Sequence, residues 1–193
     1  MQRKLPGVPP ILGNKEYAAP SAFTPASILR EARRQKGLGE ASVPAVCVLD
    51  PDGDMVRHLK QADRVRRDAG WACYHTELYR ADDGELELGV LPFAVGAPFA
   101  VLVAEQLFAS GCRLLVSITS AGQLTQLREP PYFVLIEKAL RDEGTSYHYL
   151  PAAEFSSIDA SLLEALRDDL AGLPVPVARG ATLDNRCAVS RDG

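Results

Sequence analysis

Apolar and polar positions recur with two different periods along this chain, and the pattern predicts an α/β protein. Residues 45–50 (AVCVLD) and 114–118 (LLVSI) are short apolar runs of the kind found in buried strands. The apolar positions within residues 101–108 recur at helical spacing instead. Residues 93–124 therefore predict a strand end, a glycine turn, an amphipathic helix, a strand covered on both faces and a small-residue loop.

Two glycines bound this βαβ-like unit. Gly96 and Gly122 stand where the chain must turn sharply or let a ligand approach the backbone. Loops at the carboxyl ends of strands usually form the small-molecule site of an open α/β sheet. The simpler alternative is that any α/β protein of this size contains such a unit, whatever its function.

The segments on either side continue the alternation of strands and helices. Residues 70–95 predict a β-hairpin with Asp82, Asp83 and Gly84 in its turn, and His75 within it is predicted to be a packed strand residue. The other predicted elements are a helix capped by Thr24 or Ser27 and ending near Gln35, a strand-like run over 132–150 with a break at 143–144, a helix over 161–173 and a strand over 175–182.

Composition narrows the class of protein. The chain has 193 residues, 47% of them hydrophobic and 24% charged, which is the balance of a globular domain with a real core. A net charge of −4 without a basic block argues against a nucleic-acid partner. No apolar run is long enough for a membrane span, and no secretory signal is visible, so a cytoplasmic protein is expected. The cysteines at 47, 73 and 112 have apolar neighbours and predict small buried side chains.

One short segment carries a chemical signal of its own. In DPDGDMVRHL, a strand is followed by a turn at Gly53 and by a helix that begins near Asp54. The free N–H groups at such a helix N-terminus favour an anion, and Arg57 in the first turn can add positive charge. A single example of this pattern is weak evidence for a site.

Five short motifs in this order resemble the nucleoside phosphorylase family, which includes uridine phosphorylase and hexameric purine nucleoside phosphorylase. They are GDMVR (53–57), VGAP (95–98), TSAG (119–122), DEGTSYHYL (142–150) and RGAT (179–182), and the resemblance covers roughly residues 45–182. It implies a three-layer α/β fold with a central mixed sheet flanked by helices. It also implies a homo-oligomer and a reaction in which phosphate cleaves a nucleoside into free base and pentose 1-phosphate.

The resemblance assigns a phosphate site to four residues. Gly53 and Arg57 match the phosphate loop of the family, and Thr119 and Ser120 match a small-residue loop that gives backbone and hydroxyl donors to phosphate. Inorganic phosphate is then the co-substrate, with no other cofactor and no metal. Relatives of uridine phosphorylase often carry a second phosphate-binding arginine just before that loop, where this chain has Ser117.

Three further residues are placed near the site by the same resemblance, without an assigned step. They are Gly96, Gly122, which lets the chain approach the ligand, and His148. No catalytic residue is assigned.

The end of the chain departs from the family pattern. After Gly-Ala-Thr the family typically continues Trp-Thr-Thr-Asp-Ala-Pro-Phe-Arg-Glu-Thr, whereas this chain reads LDNRCAVSRDG over 183–193. A set of codons that encodes the family segment encodes residues 183–193 instead when one T is added in front and the reading frame shifts. We therefore expect an N-terminal arm and helix over 1–44, an incomplete phosphorylase domain over 45–182 and a frameshifted tail, with impaired activity because the ribose- and base-binding segment is missing. The alternative is a natural, divergent tail, and the downstream gene sequence distinguishes the two.

Two other functions stay open at this point. A nucleosidase of the same fold would use water in place of phosphate, which the serine at position 117 favours. A non-catalytic protein would keep the phosphate loop as a scaffold for binding phosphate or nucleoside. The base preference is not readable from these motifs.

Overall fold

A computed structural model describes residues 9–13, 15–82, 84, 86–124 and 128–183. These described residues divide into two compact units, one within 20–122 and the other within 1–19 and 123–193. Each unit contains a mixed sheet and helices, so the predicted α/β class with mixed sheets flanked by helices is confirmed. No helix in these described ranges is both long and apolar enough to cross a membrane.

The unit of residues 20–122 is built on a five-stranded sheet in the order β2-β3-β4-β1-β5. Strands β4, β1 and β5 run parallel, and β2, β3 and β4 pair antiparallel. Its elements are α1 (Pro25–Lys36), β1 (Val46–Asp50), α2 (Asp54–Gln61), β2 (Val65–Arg67), β3 (Tyr79–Asp82), β4 (Glu87–Pro92), α3 (Ala97–Ala109) and β5 (Leu114–Ser117).

Local capping groups determine where α1 begins and ends. The Thr24 side chain accepts a hydrogen bond from the backbone N–H of Ser27, and Pro25 occupies the first turn, where a missing N–H costs nothing. Gly37 ends the helix with a φ of 65°, the left-handed conformation that glycine adopts easily. Of the two candidate caps, Thr24 and Ser27, Thr24 is therefore the one that caps the helix.

The core of this unit lies on both faces of β1, the strand between two parallel neighbours. Cys47 and Leu49 point into one cluster, which also contains Trp71, Leu78, Leu91, Val103 and Leu107. Val48 points to the opposite face and packs with Val56, Tyr79, Ala81 and Val90. The predicted burial of Cys47, Cys73 and Cys112 is confirmed, and burial raises the pKa of the Cys47 thiol to about 12. Cys187 lies outside the described residues.

The hairpin prediction is confirmed, since β3 and β4 pair directly with Asp82 opposite Glu87. The backbone N–H of Gly84 donates to Asp82 Oδ1 at 2.8 Å across the turn, and Asp83 lies outside the described residues.

Strand β5 corrects one expectation. Residues 114–118 were predicted to be covered on both faces, but β5 is the outermost strand of its sheet. Leu114, Val116 and Ile118, which alternate and so share one face of the strand, are 36–39% exposed, so that face is incompletely covered. An apolar run predicts a strand, whereas its cover depends on which strands and helices become its neighbours.

The second unit contains a three-stranded sheet in the order β7-β6-β8. Its elements are β6 (Phe133–Leu140), β7 (Phe155–Ser157), α4 (Ala160–Ala165), α5 (Arg167–Ala171) and β8 (Val177–Thr182), with short 3₁₀ helices at Pro10–Leu12 and Ser146–His148. The single helix predicted over 161–173 is therefore two short helices that meet at Leu166, and Asp159 caps the first by accepting from Ser161 and Leu162 N–H groups.

The strand-like run predicted over 132–150 ends earlier than expected, at Leu140. The Glu143 carboxylate accepts hydrogen bonds from the backbone N–H groups of Thr145 and Ser146, which starts the 3₁₀ helix Ser146–His148. Burial alone would raise the pKa of Glu143, but hydrogen bonds from the side chain and backbone N–H of Ser146, followed by those from Thr145, outweigh it and lower the pKa. A side chain that satisfies backbone donors in this way competes with continuation of a strand.

Candidate functional site

The turn after β1 is held by Asp50, a buried carboxylate at the end of that strand. Its Oδ2 accepts the backbone N–H of Val56 at 2.9 Å, within the first turn of α2. Its backbone carbonyl accepts N–H groups from both Gly53 and Phe93 at 3.0 Å. One residue therefore joins the end of β1, the start of α2 and the end of β4.

Gly53 is required at this turn for two reasons. Its φ of 72° lies in the left-handed region, and the aromatic ring of Phe93 packs directly on its Cα. A Cβ added at Gly53 would lie 2.1 Å from Cε1 of Phe93, far inside van der Waals contact. Phe93 itself has a φ of 65° and is 62% exposed, so a strained residue presents an open aromatic face beside the turn.

We expect Gly53→Ala to lower the free energy of unfolding by about 1–3 kcal/mol, from the left-handed backbone and the displaced Phe93 ring. Urea denaturation measures this loss. Gly39→Ala is the matched control, because a Cβ at Gly39 meets nothing within 4 Å and its φ lies outside the left-handed region. That control should stay within about 1 kcal/mol of the wild type. Equal effects of the two substitutions would contradict the strain argument.

A cavity of about 360 Å³ opens beside this turn, large enough for a small ligand. Gly53 and Arg57, two of the residues predicted to bind phosphate, lie in its wall. Arg57 is exposed and forms an ion pair with Asp54 one turn earlier on α2. The other lining residues are Val56, Lys60, His75, Thr76, Glu77, Tyr79, Pro92, Phe93 and Phe99.

One wall of the cavity is formed by hydrogen-bonded polar side chains that the sequence analysis did not predict to be functional. Lys60 Nζ donates to the Tyr79 hydroxyl at 2.8 Å, and that hydroxyl donates to the Glu77 carboxylate. The hydrogen bond from Tyr79, then the charges of Arg67 and Lys60, lower the pKa of Glu77. Lys60 follows Arg57 by three residues on one helix face, which was the available sequence signal. No comparable sequence pattern pointed to Glu77 or Tyr79.

His75 differs from its prediction. It was expected to be a packed strand residue, but it lies in the loop before β3, is exposed and lines the cavity. Its ring meets Phe99 of α3 edge-on, with 6.5 Å between the ring centroids. The strand begins only at Tyr79, the first residue of β3 that pairs with β4.

The loop after β5 reaches the turn after β1 through Asp52. Asp52 Oδ2 accepts the Ser120 N–H at 2.8 Å and the hydroxyls of Ser120 and Thr119 at 3.0 Å each. The N–H of Ser120, followed by the two hydroxyls, holds the pKa of Asp52 below its usual value. We call these three contacts the Asp52 bridge.

The Asp52 bridge brings together the two turns that sequence reasoning assigned to phosphate. Strands β1 and β5 are adjacent and parallel, so their carboxyl ends lie at the same edge of the sheet. Thr119 and Ser120 follow β5, and Asp52 directly precedes Gly53. Turns on opposite edges of the sheet would have been incompatible with one oxyanion site.

The remaining predicted residues are not among those that line the cavity. Gly96 has a φ of 87° and lies just before α3, where its carbonyl accepts the N–H of Ala100. Gly122 is exposed, and a Cβ placed there would have no heavy atom within 4 Å. His148 belongs to the other unit, where its Nδ1 lies 2.9 Å from Lys15 Nζ. Ser117 ends β5 and is exposed. Over the described part of the chain, no group of three or more His, Cys, Asp or Glu side chains is arranged to hold a metal ion.

A family profile described as the phosphorylase superfamily matches residues 46–183, most of the chain. This chain belongs to that family. The predicted membership of the nucleoside phosphorylase family is thereby confirmed. No curated protein matches the chain significantly.

Solved structures of two nucleoside phosphorylases share its fold. Uridine phosphorylase from Vibrio fischeri ES114, complexed with 6-hydroxy-1-naphthoic acid, is 22% identical with a TM-score of 0.59, over 74% of this chain and 58% of that one. Purine nucleoside phosphorylase from Toxoplasma gondii in complex with immucillin-H is 16% identical with a TM-score of 0.60, over 75% of this chain and 57% of that one. The chain thus spans less than two thirds of the length of these enzymes.

Proposed function

We propose that this phosphorylase-superfamily protein cleaves the N-glycosidic bond of nucleosides, with phosphate as the acceptor of the pentose. The proposal rests mainly on one observation. The two turns assigned to phosphate, at Gly53 and at Thr119–Ser120, meet at the carboxyl ends of β1 and β5, beside a cavity lined by aromatic and basic side chains. Family membership supports the same reaction class.

The chemistry needs an anion beneath the sugar. A phosphate oxygen forms a bond to the anomeric carbon while the bond from that carbon to the base nitrogen breaks, and the base leaves with the electron pair. The sugar passes through a cation-like state, which a held phosphate stabilises and positions for attack. On one side of the phosphate, Arg57 supplies positive charge and the N–H groups after Gly53 supply hydrogen-bond donors. On the other side, Thr119 and Ser120 supply neutral donors.

The aromatic wall suits the other half of the substrate. Phe93 and Phe99 line the cavity together with Val56 and Pro92, so a planar base can bury its faces there. His75 and Glu77 lie at the same wall and offer polar contacts to base edges or sugar hydroxyls.

The test measures release of free base from uridine, inosine and adenosine, with and without phosphate. Arg57→Ala should reduce kcat/KM for phosphate roughly 10- to 100-fold, the range for losing a charge-assisted hydrogen bond. Arg64→Ala is the control, because Arg64 is an exposed arginine three residues after the end of α2 that does not line the cavity. Base release that is equally reduced by both changes, or absent with every nucleoside, would contradict the proposal.

Hydrolysis is a second candidate, and two observations favour it. Ser117 is neutral where relatives of uridine phosphorylase often carry an arginine, and Asp52 supplies a negative charge at the donors assigned to phosphate. Water would then attack the same carbon, leaving free pentose. Separating ribose from ribose 1-phosphate among the products distinguishes the two reactions.

A further inference from the structure

We propose that Asp52 is a built-in competitor of phosphate, whose carboxylate binds the Thr119–Ser120 donors that the proposed reaction requires for its oxyanion. The inference rests on the proposed function for the identity of the anion. It assigns to Asp52 a role in determining phosphate affinity, separate from the turn residues that bind the ligand.

The geometry of the Asp52 bridge is that of an oxyanion bound by several hydrogen-bond donors. A single oxygen, Oδ2, accepts a backbone N–H and two hydroxyls at 2.8–3.0 Å. Phosphate oxygens are bound in proteins by the same set of donors, and a carboxylate is the side-chain group closest to them in charge and acceptor geometry. Each hydrogen atom donated to Asp52 is unavailable to a phosphate oxygen.

Charge strengthens the competition. Phosphate bound at Ser120 would lie beside the Asp52 carboxylate, and no described basic side chain forms an ion pair with Asp52 to offset the repulsion. Arg57 on α2, the basic residue assigned to phosphate, is already paired with Asp54. Two anions that share neutral donors exclude one another.

The competitor is displaceable without a change of fold. Asp52 is exposed, and its side chain can leave the donors by rotation about its own bonds. The neighbouring Asp50, in contrast, is buried and holds the N–H of Val56. The two carboxylates of this turn therefore have different roles, with Asp50 structural and Asp52 free to exchange with a ligand anion.

Direct phosphate binding to the full chain tests the inference. Titration with inorganic phosphate, followed by ³¹P NMR and calorimetry, should give a Kd for Asp52→Ala about tenfold or more below that of the wild type, since donors are freed and a like charge is removed. Asp52→Asn should fall between them, because its amide oxygen can still accept from Ser120 without the charge.

Glu40→Ala is the matched control, since it removes one exposed carboxylate from the segment before β1, at the strand end opposite the turn. It should leave the phosphate Kd unchanged. The amide resonance of Ser120 should shift in Asp52→Ala and not in Glu40→Ala. A wild-type Kd equal to that of Asp52→Ala, or a gain of the same size in Glu40→Ala, overturns the inference.

The outcomes separate this inference from the proposed function. Tighter phosphate binding in Asp52→Ala with no base release from any nucleoside would support the competitor role and contradict the reaction. Base release with an unchanged phosphate Kd would do the reverse. Circular dichroism of both Asp52 variants checks that they remain folded.

Discussion

Replacing Arg80 with methionine should lower the free energy of unfolding by about 3–5 kcal/mol, because it leaves the buried carboxylate of Asp68 without its counter-charge. Arg80 Nε donates to Asp68 Oδ2 at 2.7 Å, and the two side chains are 17% and 7% exposed. The same guanidinium bonds Glu87 at 2.6 Å and the backbone carbonyl of Ser42. A single side chain thus joins β3 to β4 and to the segment that leads into β1.

Urea denaturation measures the loss, and two further variants show its cause. Arg66→Met removes an exposed pair with Glu87, in which Arg66 is 70% exposed, and should cost less than about 1 kcal/mol. Arg80→Met combined with Asp68→Asn should recover part of the loss, since no uncompensated charge then stays buried. A cost below about 1 kcal/mol for Arg80→Met alone would refute the account.

Replacing Arg141 with methionine should release the 142–151 segment and lower stability by about 2–4 kcal/mol. Arg141 is 5% exposed, and its guanidinium donates to Ser146 Oγ at 3.0 Å and to the backbone carbonyls of Leu150 and Pro151. It also lies 4.5 Å from the centroid of the Tyr147 ring. Loss of the guanidinium leaves these carbonyls without their donor in a part-buried loop.

Hydrogen exchange is the sharper measurement for this variant, because the effect is concentrated in one loop. Amides of residues 145–150 should lose protection, while those of β1 and β4 in the other unit should not. Arg167→Met is the control, since Arg167 is exposed and pairs with the exposed Glu164 one turn earlier. Unchanged protection of residues 145–150 in Arg141→Met would show that the loop is held by other contacts. His148, which resemblance placed near the site, lies within this loop.

The strand–turn–helix around Gly53 could be predicted because its signals are local. An apolar run, a glycine that tolerates a positive φ and a polar helix start are close together in the sequence. Thr24 and Asp159 similarly determine helix starts through side chains that reach only two or three residues ahead. Arg141 went unnoticed, since its acceptors are carbonyls of a loop whose path no short-range pattern describes.

What the sequence determined by itself is therefore most of the elements, though not the short strands β2 and β7, together with the glycine turns and membership of the phosphorylase superfamily. Only the tertiary structure decided that β5 lies at a sheet edge, that His75 and Lys60 line a cavity, and that Asp52 binds the Thr119–Ser120 loop. The reason is physical. Caps and turns depend on backbone conformation within a few residues, whereas the Asp52 bridge joins residues 67 and 68 positions apart, whose proximity follows from strand order.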